Sequence, residues 1–495
     1  MVGKIKIHKG LDIPIGGAAE CRTSDMRLIK TYGIQPSDFV GLTPRLEVHE
    51  GDLVEVGQAV VCDKNNPKIQ LTSPVCGTVK EIRRGERRAI EAVVIEKSEE
   101  QKTWHRDTAS LLSREGIIEA MVDCGLWAMV RQRPFGTIAN PDDNPRDIFI
   151  SLFDSAPLAP CLFSRQQAGP CPDRAVNGQW LIAGLNALSL LTDGKVHVCG
   201  REFQGSKFKV QGSRFKVQSS RFKVQGSEKV VFHEVSGLHP AGNIGTQIAA
   251  IAPINKGERV WTMNPQDVVT LGQFVTTGDY RPERLVAVTG PAAAHPQYYR
   301  IIPGASLNEL LAGQVGNAEY PRLAGGGQQA AGSGTRVISG NVLSGRKASL
   351  EGFLGAYDSQ VTLIEEGDSY DFMGWLMPGL RKHSFSRTFL SGLMPKVQGS
   401  KFKVQGFSFN FNTNMHGGVR PLVFSGNFER VFPFDIYPTQ LIKAAIIGDI
   451  DLMEQLGIYE VEPEDFALCE YIDPSKTEIQ TIIRNALELC RKESI

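Results

Sequence analysis

The residues best suited to chemistry lie in the segment Gly237–Gly242, which reads GLHPAG. A His-Pro pair between glycines holds the imidazole of His239 at a loop tip, where it can hydrogen-bond a carbonyl or take part in proton transfer. Pro240 would stiffen this loop, and glycines at Gly242 and Gly245 would let the backbone approach a ligand closely. The alternative is a structural turn in which His239 only satisfies a neighbouring backbone group. The sequence leaves both interpretations open.

A second candidate is the apolar segment Phe372–Gly379, which reads FMGWLMPG. The rings of Phe372 and Trp375, with the thioethers of Met373 and Met377, suit the wall of an apolar pocket or a protein interface. Packing in an ordinary hydrophobic core is the alternative. Phe372 and Trp375 therefore join the candidate residues without an assigned reaction.

No motif in the chain supplies a complete catalytic or metal centre. The nine histidines are dispersed, and the nine cysteines include no C-x-x-C pair and no iron–sulfur or zinc spacing. The G-x-S-x-G nucleophile motif and the phosphate-binding P-loop are absent as well. We therefore predict no catalytic residues, no metal ligands and no independent activity for this chain.

The stretch Val48–Val79 has the pattern of short β-strands separated by tight turns, with an exposed hairpin near Asp63–Pro67. It resembles the barrel-sandwich hybrid of biotinyl and lipoyl domains, in which the hairpin tip presents a lysine that becomes covalently modified. In that spacing the lysine position is Asn66, and Lys64 lies two residues away. We expect a scaffold that has lost the swinging-arm chemistry, with carrier function as the alternative.

The residues after this module alternate between helical and strand patterns, which predicts a Rossmann-like α/β domain with a parallel sheet. The predicted elements are helices over Thr108–Val130 and Trp180–Leu191 and strands over Ile148–Phe153 and Val196–Cys199. Such sheets bind ligands at the carboxyl ends of their strands. This rule points to Asp154–Pro160 and to the loop after Cys199.

Two further regions complete the chain. Residues 283–346 read strand, turn, strand, short helix and strand, which predicts a β-grasp module. Its glycine-rich run Leu323–Gly334 lacks the strand–GxGxxG–helix context of a dinucleotide site, so we interpret it as a flexible loop. The tail is predicted to be mainly helical, with one helix over Thr439–Ile447 and a last helix from Asp473-Pro474 that carries an apolar stripe.

Two inserts interrupt this plan. QGSKFKV-like units repeat with a seven-residue period between Phe203 and Ser227, and QGSKFKVQG returns at Gln398–Gly406. Phe and Val stand only two residues apart in each unit, which cannot form a coiled-coil seam. We interpret these segments as inserts tolerated in surface loops, with an RNA-binding patch as the weaker alternative.

Composition narrows the class of protein. Lys+Arg and Asp+Glu both number 54 in 495 residues, which gives no support for a nucleic-acid or anionic-membrane surface. No apolar run approaches the roughly 18 residues needed to span a bilayer, and the first residues lack a signal-peptide core. We expect an intracellular chain whose membrane role, if any, needs protein partners.

The predicted fold class is a multidomain α/β (α+β) protein. Residues 1–103 hold the N-terminal segment and the barrel-sandwich hybrid, and residues 104–282 the Rossmann-like domain with an insert at 203–227. Residues 283–346 form the β-grasp (SLBB-like) module. Residues 347–495 form a mainly helical region with an insert at 396–406.

Several motifs, taken in order, resemble the NqrA family, which supplies one component of the sodium-translocating NADH:quinone oxidoreductases. The resemblance runs from near residue 4 to near residue 490, leaving out the two inserts, and no single motif decides it. The motifs are KGLDIPIGGAAE (Lys9–Glu20), the lysine-less carrier module, RPFGTIANP (Arg133–Pro141), GLHPAG (Gly237–Gly242), RVISGNVLSG (Arg336–Gly345), FMGWLMPG, GNFERVFPFDIYPTQL (Gly426–Leu441) and ALCEYIDPSKTEIQTIIR (Ala467–Arg484).

The resemblance implies a peripheral subunit on the cytoplasmic face of a bacterial inner membrane, within a complex that oxidises NADH, reduces quinone and exports sodium. It implies no tightly bound cofactor on this chain, because the flavins and iron centres belong to other subunits. The membrane and flavin-bearing subunits would be its partners, and quinone a further one. The quinone-side candidates are then His239, Pro240, Gly242, Gly245, Phe372 and Trp375.

Two other functions stay open at the level of sequence. The chain could be a stand-alone oxidoreductase that binds flavin or NADH, which a yellow purified protein would reveal. It could also be a biotinyl- or lipoyl-type carrier, which a mass shift on Lys64 or Lys68 would reveal. The sequence disfavours both, since the necessary loop or lysine is missing or displaced.

Overall fold

The computed structural model describes residues 3–25, 29–161, 174–201, 228–315, 334–367, 408–423 and 425–493, with short stretches between 373 and 390. Both repeat inserts, most of Leu323–Gly334, and the candidates Phe372 and Trp375 lie outside these residues. Over the described ranges the chain is a mixed α/β protein, as the sequence predicts.

Two small antiparallel sheets form the N-terminal module and pack around one apolar core. Val60, Val75, Val93 and Ile95 are fully buried in this core. This is the barrel-sandwich arrangement expected from the sequence. The strands are Thr31–Ile34, Leu53–Val54, Gly77–Arg84 and Ile90–Lys97 in one sheet, and Pro44–Leu46, Ala59–Asp63 and Gln70–Thr72 in the other.

A seven-stranded sheet forms the α/β domain, and its first five strands in spatial order are parallel, as predicted. In that order the strands are Gly3–Lys6, Val230–Ser236, Val196–Gly200, Ile148–Ser151, Val260–Thr262, Arg131–Arg133 and Thr137–Ile138. The last two pair antiparallel at one edge. The main helices are Arg114–Asp123, Arg174–Ser189, Ile244–Ile251 and Pro265–Thr277.

The prediction of one helix over Thr108–Val130 is wrong. The region holds a 3₁₀ turn at Thr108–Leu112, an α-helix at Arg114–Asp123 and a second 3₁₀ turn at Leu126–Met129. The Ser113 side chain accepts a hydrogen bond from the backbone N–H of Gly116, so a new helix begins there. Gly125, at φ +80°, ends that helix in the left-handed conformation.

A six-stranded mixed sheet contains the β-grasp elements. In spatial order its strands are Glu20–Asp25, Gln297–Ile301, Arg284–Thr289, Gln360–Glu365, Thr335–Ser339 and Arg346–Ala348. A single helical turn, Leu307–Leu310, follows the second of these strands in the chain direction. A separate two-stranded ribbon joins Trp104–His105 to Asp279–Tyr280.

Strands from other parts of the chain complete these sheets. Gln360–Glu365 lies inside the β-grasp sheet, although the sequence assigned it to the mainly helical region. Glu20–Asp25 and Gly3–Lys6 both come from the N-terminal segment, and each adds an edge strand to a different sheet. The four-part division at 103, 282 and 346 therefore stays a prediction, because the chain crosses between the sheets.

The C-terminal region is helical and has its own core, which includes Phe428, Phe432, Leu441 and Ile483. Gly448, at φ +71°, ends one helix as predicted. The last helix begins later than predicted, because the Asp473 carboxylate accepts the backbone N–H groups of Ser475 and Thr477 in a turn. The helices are Phe428–Val431, Pro438–Ile447, Ile450–Gln455, Ala467–Ile472 and Ile479–Glu493.

Candidate functional site

A cleft of about 430 Å³ opens at the carboxyl ends of the parallel strands. Its walls come from the α/β domain, from loops of the β-grasp sheet at 340–344 and 357–360, and from residues 462–484 of the C-terminal region. Asp154, Ala156 and Pro160, in the segment that the strand-end rule selected, line this cleft. The loop after Cys199 continues beyond the described residues at 201.

His239 lines the cleft, and Ser155 contacts one nitrogen of its imidazole ring. Its side chain is almost fully buried, with 3% of the residue exposed, and its Nδ1 lies 3.1 Å from the Ser155 hydroxyl oxygen. That oxygen also accepts the backbone N–H of Gly242 at 2.8 Å. In the tautomer with the imidazole proton on Nε2, the Ser155 hydroxyl can donate to Nδ1. The backbone N–H of His239 donates to Asp12 at 2.9 Å.

Burial sets the protonation state of this histidine. It lowers the pKa of His239 to about 4, and a hydrogen bond to the Ser155 backbone only partly opposes this effect. The imidazole is therefore neutral at physiological pH. A neutral imidazole has one ring N–H, which suits the recognition of a carbonyl oxygen better than the release of a proton.

The two candidate glycines are needed for contacts within the chain. A Cβ atom on Gly242 would lie 2.4 Å from the backbone nitrogen of Ser155. A Cβ atom on Gly245 would lie 2.4 Å from an Asp465 carboxylate oxygen. The close approaches that the sequence assigned to a ligand are therefore made by protein groups. Pro240 follows His239 directly in the chain. Its carbonyl oxygen accepts the backbone N–H of Asn243 at 2.8 Å.

A buried ion cluster closes the cleft on the side of the C-terminal region. Arg133, with 3% of its side chain exposed, lies 3.1 Å from Asp465, 2.6 Å from Glu464 and 3.4 Å from Glu462. Arg131 adds a second guanidinium at 3.0 Å from Glu462. Sequence reasoning missed this cluster, because its members are more than 300 residues apart and only the Arg133 segment stood out as a motif.

The carboxylates of this cluster differ in their acidity. Burial raises the pKa of Asp465 to about 7 even though Arg133 opposes it. Burial also acts on Glu462, but there Arg133 and Arg131 outweigh it and lower the pKa. Glu462 therefore stays ionised, and its partner Asp465 is the member that holds a proton most readily.

This cluster also occupies the amino end of the helix Ile244–Ile251. In dinucleotide-binding folds the helix after a parallel strand directs its N–H groups at a phosphate. Here the Asp465 carboxylate packs against Gly245 in the first turn, and the Asn243 amide contacts the Glu464 carbonyl oxygen at 3.5 Å. Protein groups therefore already occupy the position where a phosphate would bind.

The hairpin of the barrel module is fixed to the α/β domain. Asn66, at the position where carrier domains have the modified lysine, donates to the Asn140 side chain at 3.1 Å. Lys68 lies 2.7 Å from Asp142 of the same loop. A swinging arm needs a free hairpin tip, and this tip is docked. Among the described residues, no group of three His, Cys, Asp or Glu side chains has the arrangement of a metal site.

Comparison with known proteins identifies the family. Residues 5–98 match the NqrA N-terminal barrel-sandwich hybrid domain, residues 112–280 the NqrA second alpha/beta domain, and residues 285–349 the NQRA C-terminal domain. The NqrA component of the Na(+)-translocating NADH-quinone reductase of Yersinia pseudotuberculosis is 37% identical over 494 residues, covering 99% of this chain and 100% of that protein. The chain belongs to the NqrA family. The resemblance predicted from the motifs is thus confirmed.

Other members agree with this assignment. The corresponding proteins of Klebsiella pneumoniae and of a Marinomonas species are each 36% identical and cover 99% of this chain, with 100% and 99% of their own lengths matched. A solved NAD+-reducing [NiFe]-hydrogenase matches 52% of this chain and 47% of its own at 16% identity and a TM-score of 0.32. A similarity that low supports no functional inference, whereas the full-length NqrA matches favour the reductase component over the carrier and stand-alone alternatives.

The neutral state of His239 predicts a pH dependence of stability. The folded-state pKa of about 4 lies below the ordinary value of 6.5, so the unfolded chain binds the proton first and stability falls as the pH drops from 6.5 to 4. We expect the stability advantage of the wild type over His239→Gln to shrink by about 3 kcal/mol across this range. Urea unfolding at pH 7 and pH 4 measures it.

The control for this measurement is His49→Gln, at a side chain that is 93% exposed. That substitution removes no buried group and should leave the pH profile of the wild type unchanged. Comparing variant with wild type cancels the opposite contribution of Asp465. A constant difference between wild type and His239→Gln from pH 7 to pH 4 would contradict the buried, neutral imidazole.

The ion cluster predicts a large loss of stability when its guanidinium is removed. Arg133→Met leaves three carboxylates in a buried site without their main cation, which should cost about 3–5 kcal/mol in denaturant unfolding. Arg336→Met is the matched control, because its pair with Glu366 is partly exposed (30% and 18%) and should cost about 0–1 kcal/mol. Equal losses in the two variants would show that the cluster does not join the regions.

Proposed function

We propose that this chain is the peripheral, cofactor-free NqrA component of a sodium-pumping NADH:quinone reductase, supporting electron transfer from NADH to quinone coupled to sodium export. The observation that carries the proposal is the full-length match, at 35–37% identity, to proteins named as that component. The chain contributes to an oxidoreductase complex, and we assign it no reaction of its own.

The absence of a tightly bound cofactor is supported by the charges of the cleft. FMN and NADH both carry phosphates, and the amino end of the helix Ile244–Ile251 is covered by Asp465 and Glu464. Four carboxylates and two guanidiniums line the cleft, namely Asp154, Asp358, Glu462 and Glu464 with Arg131 and Arg484. Such a lining disfavours a dianionic phosphate on electrostatic grounds.

The partners in this proposal are the membrane and flavin-bearing subunits of the complex, and nucleic acid is not among them. Within the described ranges, no helix is both long and apolar enough to cross a membrane. Contact with the membrane would then come through partner subunits on the cytoplasmic face. The equal numbers of basic and acidic residues fit a surface that recognises proteins rather than a polyanion.

On the quinone side, His239 is the residue that we assign to ligand contact. Its Nε2–H would donate to a quinone carbonyl oxygen, held in place by the Ser155 hydroxyl on the opposite ring nitrogen. A volume of about 430 Å³ lies within the ordinary range for small-molecule sites. Gly242, Gly245 and Pro240 shape the loop, and Phe372 with Trp375 remains a proposed apolar contribution.

Co-purification tests the assignment to the complex. We expect the tagged chain, recovered from mildly solubilised membranes, to carry sodium-stimulated NADH:quinone reductase activity, while the isolated chain is colourless and inactive. Activity that elutes only in fractions without the chain would contradict the proposal. So would an isolated chain that is yellow or oxidises NADH by itself, which is the result that the stand-alone oxidoreductase predicts.

Substitution of His239 in the purified complex tests the quinone contact. His239→Leu removes the donor, so we expect the KM for quinone to rise about tenfold with little change in the KM for NADH, in line with the loss of one hydrogen bond. His239→Gln keeps an N–H near the Nε2 position and should retain most of the affinity. An unchanged quinone KM in His239→Leu, with the complex intact, would remove His239 from the site.

A further inference from the structure

The cleft of His239 contains a second basic side chain, which the proposed function leaves without a role. Arg484 belongs to the last helix, Ile479–Glu493, and it lines the cleft while half-buried. The guanidiniums of Arg131 and Arg133 lie within 3.1 Å of carboxylate oxygens. Among the described residues Arg484 makes no such ion pair, so its donors are not committed to a carboxylate.

A single hydrogen bond within the described part of the chain holds the Arg484 guanidinium. Its Nη1 donates to the carbonyl oxygen of Phe135 at 2.7 Å. Phe135 has φ +85°, a left-handed conformation that costs free energy in a residue other than glycine. Strain of this kind is found most often at functional sites. Here it occurs at the residue whose carbonyl positions Arg484.

The other edge of this guanidinium is free. Its donors, Nε and Nη2, have no protein partner among the described residues, and neither atom is sealed from solvent. The N–H groups of this edge are parallel, so they can bind two neighbouring oxygen atoms at once. Arg484 therefore offers the cleft a paired donor, whereas the neutral imidazole of His239 has one ring N–H.

We propose that Arg484 is a specificity-determining residue of the quinone site, whose Nε–Nη2 edge binds two neighbouring oxygens of the quinone ring. This inference rests on the proposed function. A carbonyl oxygen and the methoxy oxygen beside it present two acceptors side by side, and so do two adjacent methoxy groups. A quinone with only alkyl substituents offers one oxygen at a time. The cleft therefore selects quinones with alkoxy groups next to a carbonyl.

A carboxylate is the usual partner of this edge of a guanidinium. The cleft disfavours one, because four carboxylates already line it against two guanidiniums. These carboxylates belong to Asp154, Asp358, Glu462 and Glu464. A neutral ring with paired oxygens uses the same two donors without adding a negative charge.

Steady-state kinetics of the purified complex test the proposal with two quinones of one shape. 2,3-Dimethoxy-5-methyl-1,4-benzoquinone carries the paired oxygens, and 2,3,5-trimethyl-1,4-benzoquinone has methyl groups in their place. We expect Arg484→Met to raise the KM for the dimethoxy quinone about tenfold and the KM for the trimethyl quinone less than about threefold. Comparing each quinone between proteins cancels the difference in their reduction potentials.

Two further variants show whether the effect comes from the free edge. Arg484→Lys keeps the positive charge but lacks parallel donors, so it should lose the same selectivity. It replaces Arg484→Met should that variant not assemble into the complex. Arg491→Met is the matched control, because Arg491 lies on the same helix, pairs with Glu488 and does not line the cleft. It should keep the wild-type KM for both quinones.

An equal rise of the two KM values in Arg484→Met, or no change in either, would overturn the proposal. If His239→Leu raises the quinone KM while Arg484→Met does not, the quinone site stands and only the role of Arg484 fails. If neither variant changes the KM, the proposed quinone site fails as well. Competitive inhibition by acetate that is lost in Arg484→Met would reassign the free edge to a carboxylate ligand.

Discussion

The buried guanidinium of Arg133 is the interaction on which the arrangement of this chain depends. It comes from the strand next to one edge of the α/β sheet and meets three carboxylates from one turn of the C-terminal region. Once these charges are out of water, each needs the others, because an unpaired buried charge is far costlier than the pair. The cluster therefore fixes where the C-terminal helices sit, and with them one wall of the cleft.

The same cluster decides what chemistry the cleft can perform. An open α/β sheet ordinarily offers a phosphate site at the amino end of the helix that follows a strand. Here the Asp465 side chain packs against that position, and the buried His239 lines the cleft. The fold keeps the parallel sheet of a cofactor domain, while protein groups occupy the usual phosphate position.

Local patterns predicted much of this architecture. The sequence predicted the valine-rich strands of the barrel, the helix end at Gly448 and the parallel strands, because each depends on residues near in sequence. The strand-end rule selected Asp154–Pro160, which lines the cleft, whereas His239 was selected from the GLHPAG motif. Its partner Ser155, and the pairing of Arg133 with Asp465 across 332 positions, had no local signal. The strand Gln360–Glu365 was missed because its partners lie on both sides of a long, poorly patterned stretch.

The edge strand Gly3–Lys6 has a consequence for biosynthesis. Among the described strands it pairs with Val230–Ser236, so this strand has no sheet to join until more than half of the α/β domain has been synthesised. Until then, the barrel module between them can form locally, while the growing sheet keeps one open edge exposed to other chains. The strand Gly3–Lys6 must therefore wait for a partner that is made much later, so this sheet does not assemble in strict chain order.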